Sequence, residues 1–178
     1  MKPTAAICFL VTLLCAVSLF AHESPSAPTP SPELKKQDFF VGNWTLEGTT
    51  KSSPFGTGGQ KFTSTERLEW MPGGFFLLAH SYAGKRLAGV TVIGYDSKEK
   101  IFTHTRFNTQ GETEFWTGIA ESDKWIWTRD EQVDGKRVRD RLTINKASSN
   151  SYSFIVEMQP AGGGSWAVVA EGTGTRTE

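Results

Sequence analysis

From Val41 to the C-terminus, no segment of ten or more residues carries apolar side chains at the three-and-four spacing of an amphipathic helix. Short β-branched and aromatic runs recur instead, separated at nearly even intervals by clusters of Gly, Pro, Asn, Asp or Ser. Ten strands are predicted, over roughly 41–50, 62–70, 75–83, 86–95, 100–107, 112–120, 123–131, 136–146, 151–159 and 165–176. Most connections are tight, and Met71-Pro72-Gly73-Gly74, Asp96-Ser97-Lys98-Glu99, Asp134-Gly135 and Ser148-Ser149-Asn150 all suit hairpin turns. Links this short join only antiparallel neighbours, because a parallel crossover needs about a dozen residues or more. The expected topology is an up-and-down meander. An open sheet of this size would leave two edges and an apolar face in water, so an all-β, closed antiparallel barrel is preferred to a sandwich.

Several strands carry bulk on both faces. Ile101, Thr103 and Phe107 alternate with Phe102, His104 and Arg106. Barrels that enclose a cavity have this character, with mixed side chains inside and a partly wet exterior.

The N-terminus divides into two further segments. Lys2 followed by the uncharged stretch Ile7–Phe20 has the form of a secretory signal, too short to span a bilayer comfortably. Cleavage after Ala21, or alternatively after Ser18, suits a signal peptidase; with the former, residues 1–21 are the expected signal peptide, and the protein is expected in the periplasm or outside the cell. His22 to Pro32 holds four prolines in eleven residues and reads as an extended linker over 22–32. The folded domain is expected over 33–178. Its first element is a helical turn spanning Pro32 to Phe40, with Ser31 as N-cap and Pro32 at the first helical position.

Both cysteines, Cys8 and Cys15, fall inside the signal-like stretch, so a disulfide framework, a cysteine nucleophile and a thiolate metal site are not expected in the mature chain. Removing residues 1–21 takes away Lys2 and no acid, leaving 18 basic against 19 acidic residues. Such a chain has no electrostatic reason to bind nucleic acid or an anionic membrane, and no membrane span is expected in it.

The sharpest local signal is Gly42-Asn43-Trp44, preceded by Phe39-Phe40-Val41, together with a last strand ending Gly172-Thr173-Gly174-Thr175-Arg176. In lipocalins and their calycin relatives a glycine and tryptophan so placed close one end of the barrel, and an arginine of the last strand lies across the indole. The likeness implies a structural latch of Gly42, Trp44 and Arg176. Beyond it, PELKKQDFFVGNWTLEG, PFGTGG, STERLEWMPGGFFLL and VIGYDSKEK resemble bacterial proteins of the domain-of-unknown-function 1579 family, from Pro32 to about Arg176. That family has no assigned reaction, so the resemblance implies the barrel and no activity. A similar opening sequence occurs in nitrobindins, ten-stranded barrels that hold haem through a late histidine. Here the last histidine is His104, and neither SYSFIVEMQ nor SWAVVAEGTGTR contains one, so no haem or other cofactor is expected.

His80 and His104 are the histidines of the folded region, and two imidazoles without a third ligand at metal-site spacing do not predict a metal centre. No G-x-S-x-G elbow or equivalent supports a catalytic triad. Glu66 and Glu69 fall on opposite faces of one strand, which leaves one of them free to enter the interior near Arg106. Arg137, Arg139 and Arg141 share a face and suit an exterior ladder against acids such as Glu131 or Glu157.

The leading expectation is a non-enzymatic binding protein for a small apolar or amphipathic ligand, with Trp70, His104, Arg106 and Trp116 as the candidate lining. Two alternatives differ in class. One is a hydrolase- or isomerase-like enzyme on a small hydrophobic substrate, with His104 or Glu66 as base. The other is a structural or interaction module, marked by a filled interior and an exposed apolar patch.

Overall fold

The computed structural model describes residues 27–177, so the signal-like segment and the first part of the linker, 22–26, lie outside the described residues. A 3-10 helix (Pro32–Phe40) precedes ten strands: β1 (Gly42–Thr50), β2 (Lys61–Trp70), β3 (Leu77–Ala83), β4 (Arg86–Asp96), β5 (Ile101–Asn108), β6 (Thr113–Glu121), β7 (Lys124–Val133), β8 (Lys136–Ser148), β9 (Ser151–Pro160) and β10 (Ala167–Thr177). Every strand pairs antiparallel with its sequence neighbours, and β1 closes on β10 to complete a barrel. The predicted strands agree with these to within a residue or two at nearly every end. The turns explain the register: Asp134 and Gly135 both take left-handed backbone, at φ 50° and 75°, as a two-residue hairpin between right-twisted strands requires.

One end of the barrel is sealed by the helix. A 3-10 helix turns every three residues, so Leu34, Gln37 and Phe40 share one face, and all three are buried. Ser31 Oγ accepts from the Glu33 amide at 3.4 Å, and Pro32 begins the helix as expected. Phe39 stacks on Trp125 at 5.5 Å between ring centres, and Phe40 meets the same indole edge-on at 4.7 Å.

The latch forms across the closing pair of strands. Trp44 lies opposite Arg176, whose guanidinium sits 4.4 Å from the indole centre. The same guanidinium donates to the carbonyls of Val41 and, at 2.6 Å, of Phe39. Trp44 Nε1 donates to the Phe40 carbonyl at 2.8 Å, so one tryptophan and one arginine tie the helix's last turn to both closing strands. Glycine is favoured at position 42 by its φ of +120°, and a Cβ there would lie 2.7 Å from Arg176 Nη1, so the guanidinium would have to shift within the latch.

Candidate functional site

Strand alternation fixes what faces inward. On β7, Trp125 and Trp127 are buried, so Arg129 and Glu131, two and four residues beyond Trp127, point the same way. On β5 the inward set is Phe102, His104 and Arg106, opposite Gly118, Trp116 and Glu114 of β6. From the helix-sealed end the interior therefore passes from an aromatic floor, through a cavity, to a layer of charged side chains.

The cavity has a volume of about 130 Å³. Leu46, Leu68, Ala79, Ile93, Trp127, Leu142 and Ile144 supply its apolar wall, while Gln37, Glu66, Thr91, His104 and Tyr152 supply the polar one. Four of these polar groups are unusual. The carboxamide of Gln37 is fully buried, and neither its oxygen nor its nitrogen has a hydrogen-bond partner. His104 Nε2 is likewise buried without one, its ring held between Trp127, edge-on at 5.3 Å, and Trp116, stacked at 6.2 Å. Loss of water, then the Arg106 and Arg129 guanidiniums, lower the His104 pKa to about 4, which keeps the imidazole neutral. Glu66 moves the other way: burial raises its pKa despite a 2.9 Å bond from Ser81 and the field of Arg106. The hydroxyl of Tyr152 is also pushed up, by burial and by Glu66.

The charged layer centres on Arg129, which contacts Glu131 at 2.6 Å, Asp140 at 2.7 Å and Glu114 at 3.1 Å and lies 4.5 Å from the Trp116 ring centre. Arg106 reaches Glu114 at 3.1 Å, and Trp116 Nε1 donates to the same carboxylate. More carboxylates than guanidiniums share this space, and the excess is absorbed by protonation. Loss of water and the neighbouring Asp140 and Glu114 carry the Glu131 pKa up to about 7, against the pull of Arg129. The layer borders a groove of about 940 Å³ where the ladder between β6 and β7 stops at Thr117 and Thr128, leaving Glu114, Arg129 and Glu131 on its wall.

The four residues expected to line the interior have separate places. His104 lines the cavity, and Trp116 packs on its ring without reaching the cavity wall. Arg106 faces inward, but its ion pair is with Glu114, and it acts on Glu66 only through its field. Trp70 stands at the sealed end, where its Nε1 donates to Asp38 of the helix at 2.9 Å. Glu131 does not join the exterior ladder expected for it, because it shares the inward face of the β7 tryptophans; outside, Arg139 pairs with Asp130 and Arg141 with Glu157. His80 falls on the outer face, opposite Arg67 and Val90, so the two histidines do not share the interior. Among the described residues, no three His, Cys, Asp or Glu side chains converge in a metal-ligating group, and no helix is long and apolar enough to cross a membrane.

Sequence reasoning passed over Gln37 and Thr91. The signal for Gln37 was its place midway between Leu34 and Phe40 at three-residue spacing.

A sequence profile for a family described as protein of unknown function, DUF1579, matches residues 29–176. The chain belongs to this family. A search of curated proteins found no match. Among solved structures, that of Rv2717c from M. tuberculosis is similar, with a TM-score of 0.55 and 12% identity, covering 84% of this chain and 99% of that one. A likeness at that identity speaks for the fold alone, and it agrees with the closed barrel of this DUF1579 member.

Proposed function

We propose that this protein is an exported, non-enzymatic carrier or sensor that holds a small amphipathic molecule inside its barrel. The observation that supports this most is the cavity itself, an apolar chamber in which buried polar atoms of Gln37 and His104 stand without partners. A buried polar group left unpaired costs roughly 1–3 kcal/mol, so a site that keeps several is organised for something that pairs with them. The volume narrows the expectation. Pockets for drug-sized ligands run to roughly 300–1,000 Å³, and about 130 Å³ suits a much smaller guest than a fatty acyl chain. Export is the reading of the Ile7–Phe20 stretch, checked by the N-terminal mass of protein recovered from the cell envelope or medium.

The test is retention. Mature protein is incubated with a small-molecule cell extract, exchanged into fresh buffer and denatured, and released species are identified by mass spectrometry. Wild type should retain a defined low-mass species, and Ala79→Leu, which fills the cavity, should not. Identical empty traces from both would end the binding reading.

A second reading has its own support. A carboxyl held toward its protonated form and a neutral imidazole line one chamber, the pairing an isomerase uses to give and take a proton. If this reading is right, a retained species should be converted by wild type and held unchanged by Glu66→Gln. Retention of one unaltered compound by both proteins favours the carrier.

A further inference from the structure

We infer that the cavity is built for a compact, uncharged molecule that presents a hydrogen-bond donor and an acceptor side by side, the edge of a small lactam or primary amide. This rests on the binding reading above and assigns the class of ligand.

The edge is dictated by Gln37. A carboxamide carries a carbonyl acceptor next to an amino donor, and here both atoms are buried at the cavity wall with no partner. Turning the amide over exchanges the two positions and still leaves one donor and one acceptor unpartnered at the cavity wall. The complement of such an edge is another amide edge, joined by two antiparallel hydrogen bonds. His104 Nε2 offers a further polar contact from the β5 wall.

Charge is excluded by the surroundings. The inward guanidiniums are already taken, Arg106 by Glu114, Arg129 by Glu114, Glu131 and Asp140, and Arg176 by the latch, so an anion meets no free cation among them. A cation fares no better, since Glu66, the carboxyl on the cavity wall, is biased by burial toward its neutral form. Size sets the last limit. A cavity of roughly 150 Å³ takes one benzene, so a chamber of about 130 Å³ admits one guest no larger than a single small ring.

The experiment titrates isotope-labelled protein at pH 7 with three five-membered rings of nearly equal size: 2-pyrrolidinone, cyclopentanone, which lacks the donor, and pyrrolidine, which is cationic. Amide shifts of the cavity-lining residues report binding. 2-Pyrrolidinone should bind roughly tenfold more tightly than cyclopentanone, the equivalent of one net hydrogen bond, and pyrrolidine should not bind. In Gln37→Leu the preference should vanish, leaving the two neutral rings within about twofold of each other. That variant removes an unpartnered amide and should melt no lower than wild type; Gln37→Met serves the same purpose if the branched side chain disturbs the helix.

Equal binding of the two neutral rings, or a preference for pyrrolidine, overturns the inference while leaving the cavity a binding site. So does the failure of all three rings when the extract experiment still retains a species of other chemistry. Failure of the rings together with an empty extract experiment removes both the inference and the reading beneath it.

Discussion

Replacing His104 with phenylalanine should flatten the acid limb of the protein's stability curve. The native imidazole has its pKa lowered to about 4 from the ordinary 6.5, and it is buried between Trp116 and Trp127 with the Arg106 and Arg129 guanidiniums nearby. A depressed histidine pKa means that the unfolded chain takes up the proton first. This contribution to stability is therefore fully present above pH 6.5 and drains away as the pH falls toward 4. The complete loss corresponds to about 3 kcal/mol, and by pH 5 about 2 kcal/mol of it should be gone. For a domain of this size that is a fall of about 4–8 °C in melting temperature.

Glu66 and Glu131 work in the opposite sense, because a raised carboxyl pKa stabilises the fold below the unfolded value and loses that effect as the pH rises through the folded one. Comparison of the two proteins cancels those terms. His104→Phe keeps both aromatic contacts and removes the titrating group, so its melting temperature should drop between pH 7 and pH 5 by about 4–8 °C less than that of wild type. Calorimetric melts at half-unit pH steps decide it. Parallel curves for the two proteins would mean that His104 ionises alike in both states, and the account of a dry, neutral imidazole on the cavity wall would be wrong.

Two further outcomes follow from the packing. Trp44→Ala removes a buried indole that caps the barrel floor and should cost about 3–5 kcal/mol, whereas Arg176→Ala, losing one stacking contact and two carbonyl bonds, should cost about 2 kcal/mol; denaturant melts giving wild-type values for both would dismiss the latch. Arg129→Met leaves Glu114, Glu131 and Asp140 facing one another without their shared cation and should destabilise by about 3 kcal/mol at pH 7.5, with part of that recovered at pH 5 as the carboxyls protonate; a loss that does not depend on pH would mean that the charges are well solvated.

How far the sequence foretold this structure can be followed residue by residue. Strand positions were legible because Gly, Pro and Asp-Gly breaks punctuate the chain, and the Trp44–Arg176 contact was legible only through the calycin resemblance, which the pairing of first and last strands bears out. The faces of the strands were harder. Glu131 was expected on the exterior, yet period-two counting from Trp125 and Trp127 sends it inward, and Arg129 with it. Trp70 has the correct face and the wrong height, since it ends its strand beside the helix and bonds to Asp38 rather than reaching the cavity. The cavity's dimensions left no trace at all. They depend on how Leu46, Ile93, Leu142 and Ile144 meet across the barrel, which no strand specifies alone.

The central claim, that the barrel interior is a site for a small molecule with an amide edge, is tested most directly by electron density. A high-resolution crystal structure of the protein soaked with 2-pyrrolidinone should show one planar, continuous feature within hydrogen-bond distance of both the Gln37 amide atoms. Discrete spherical waters bonded to Gln37 and His104, unchanged by the soak, or side chains collapsed to fill the chamber, would contradict it.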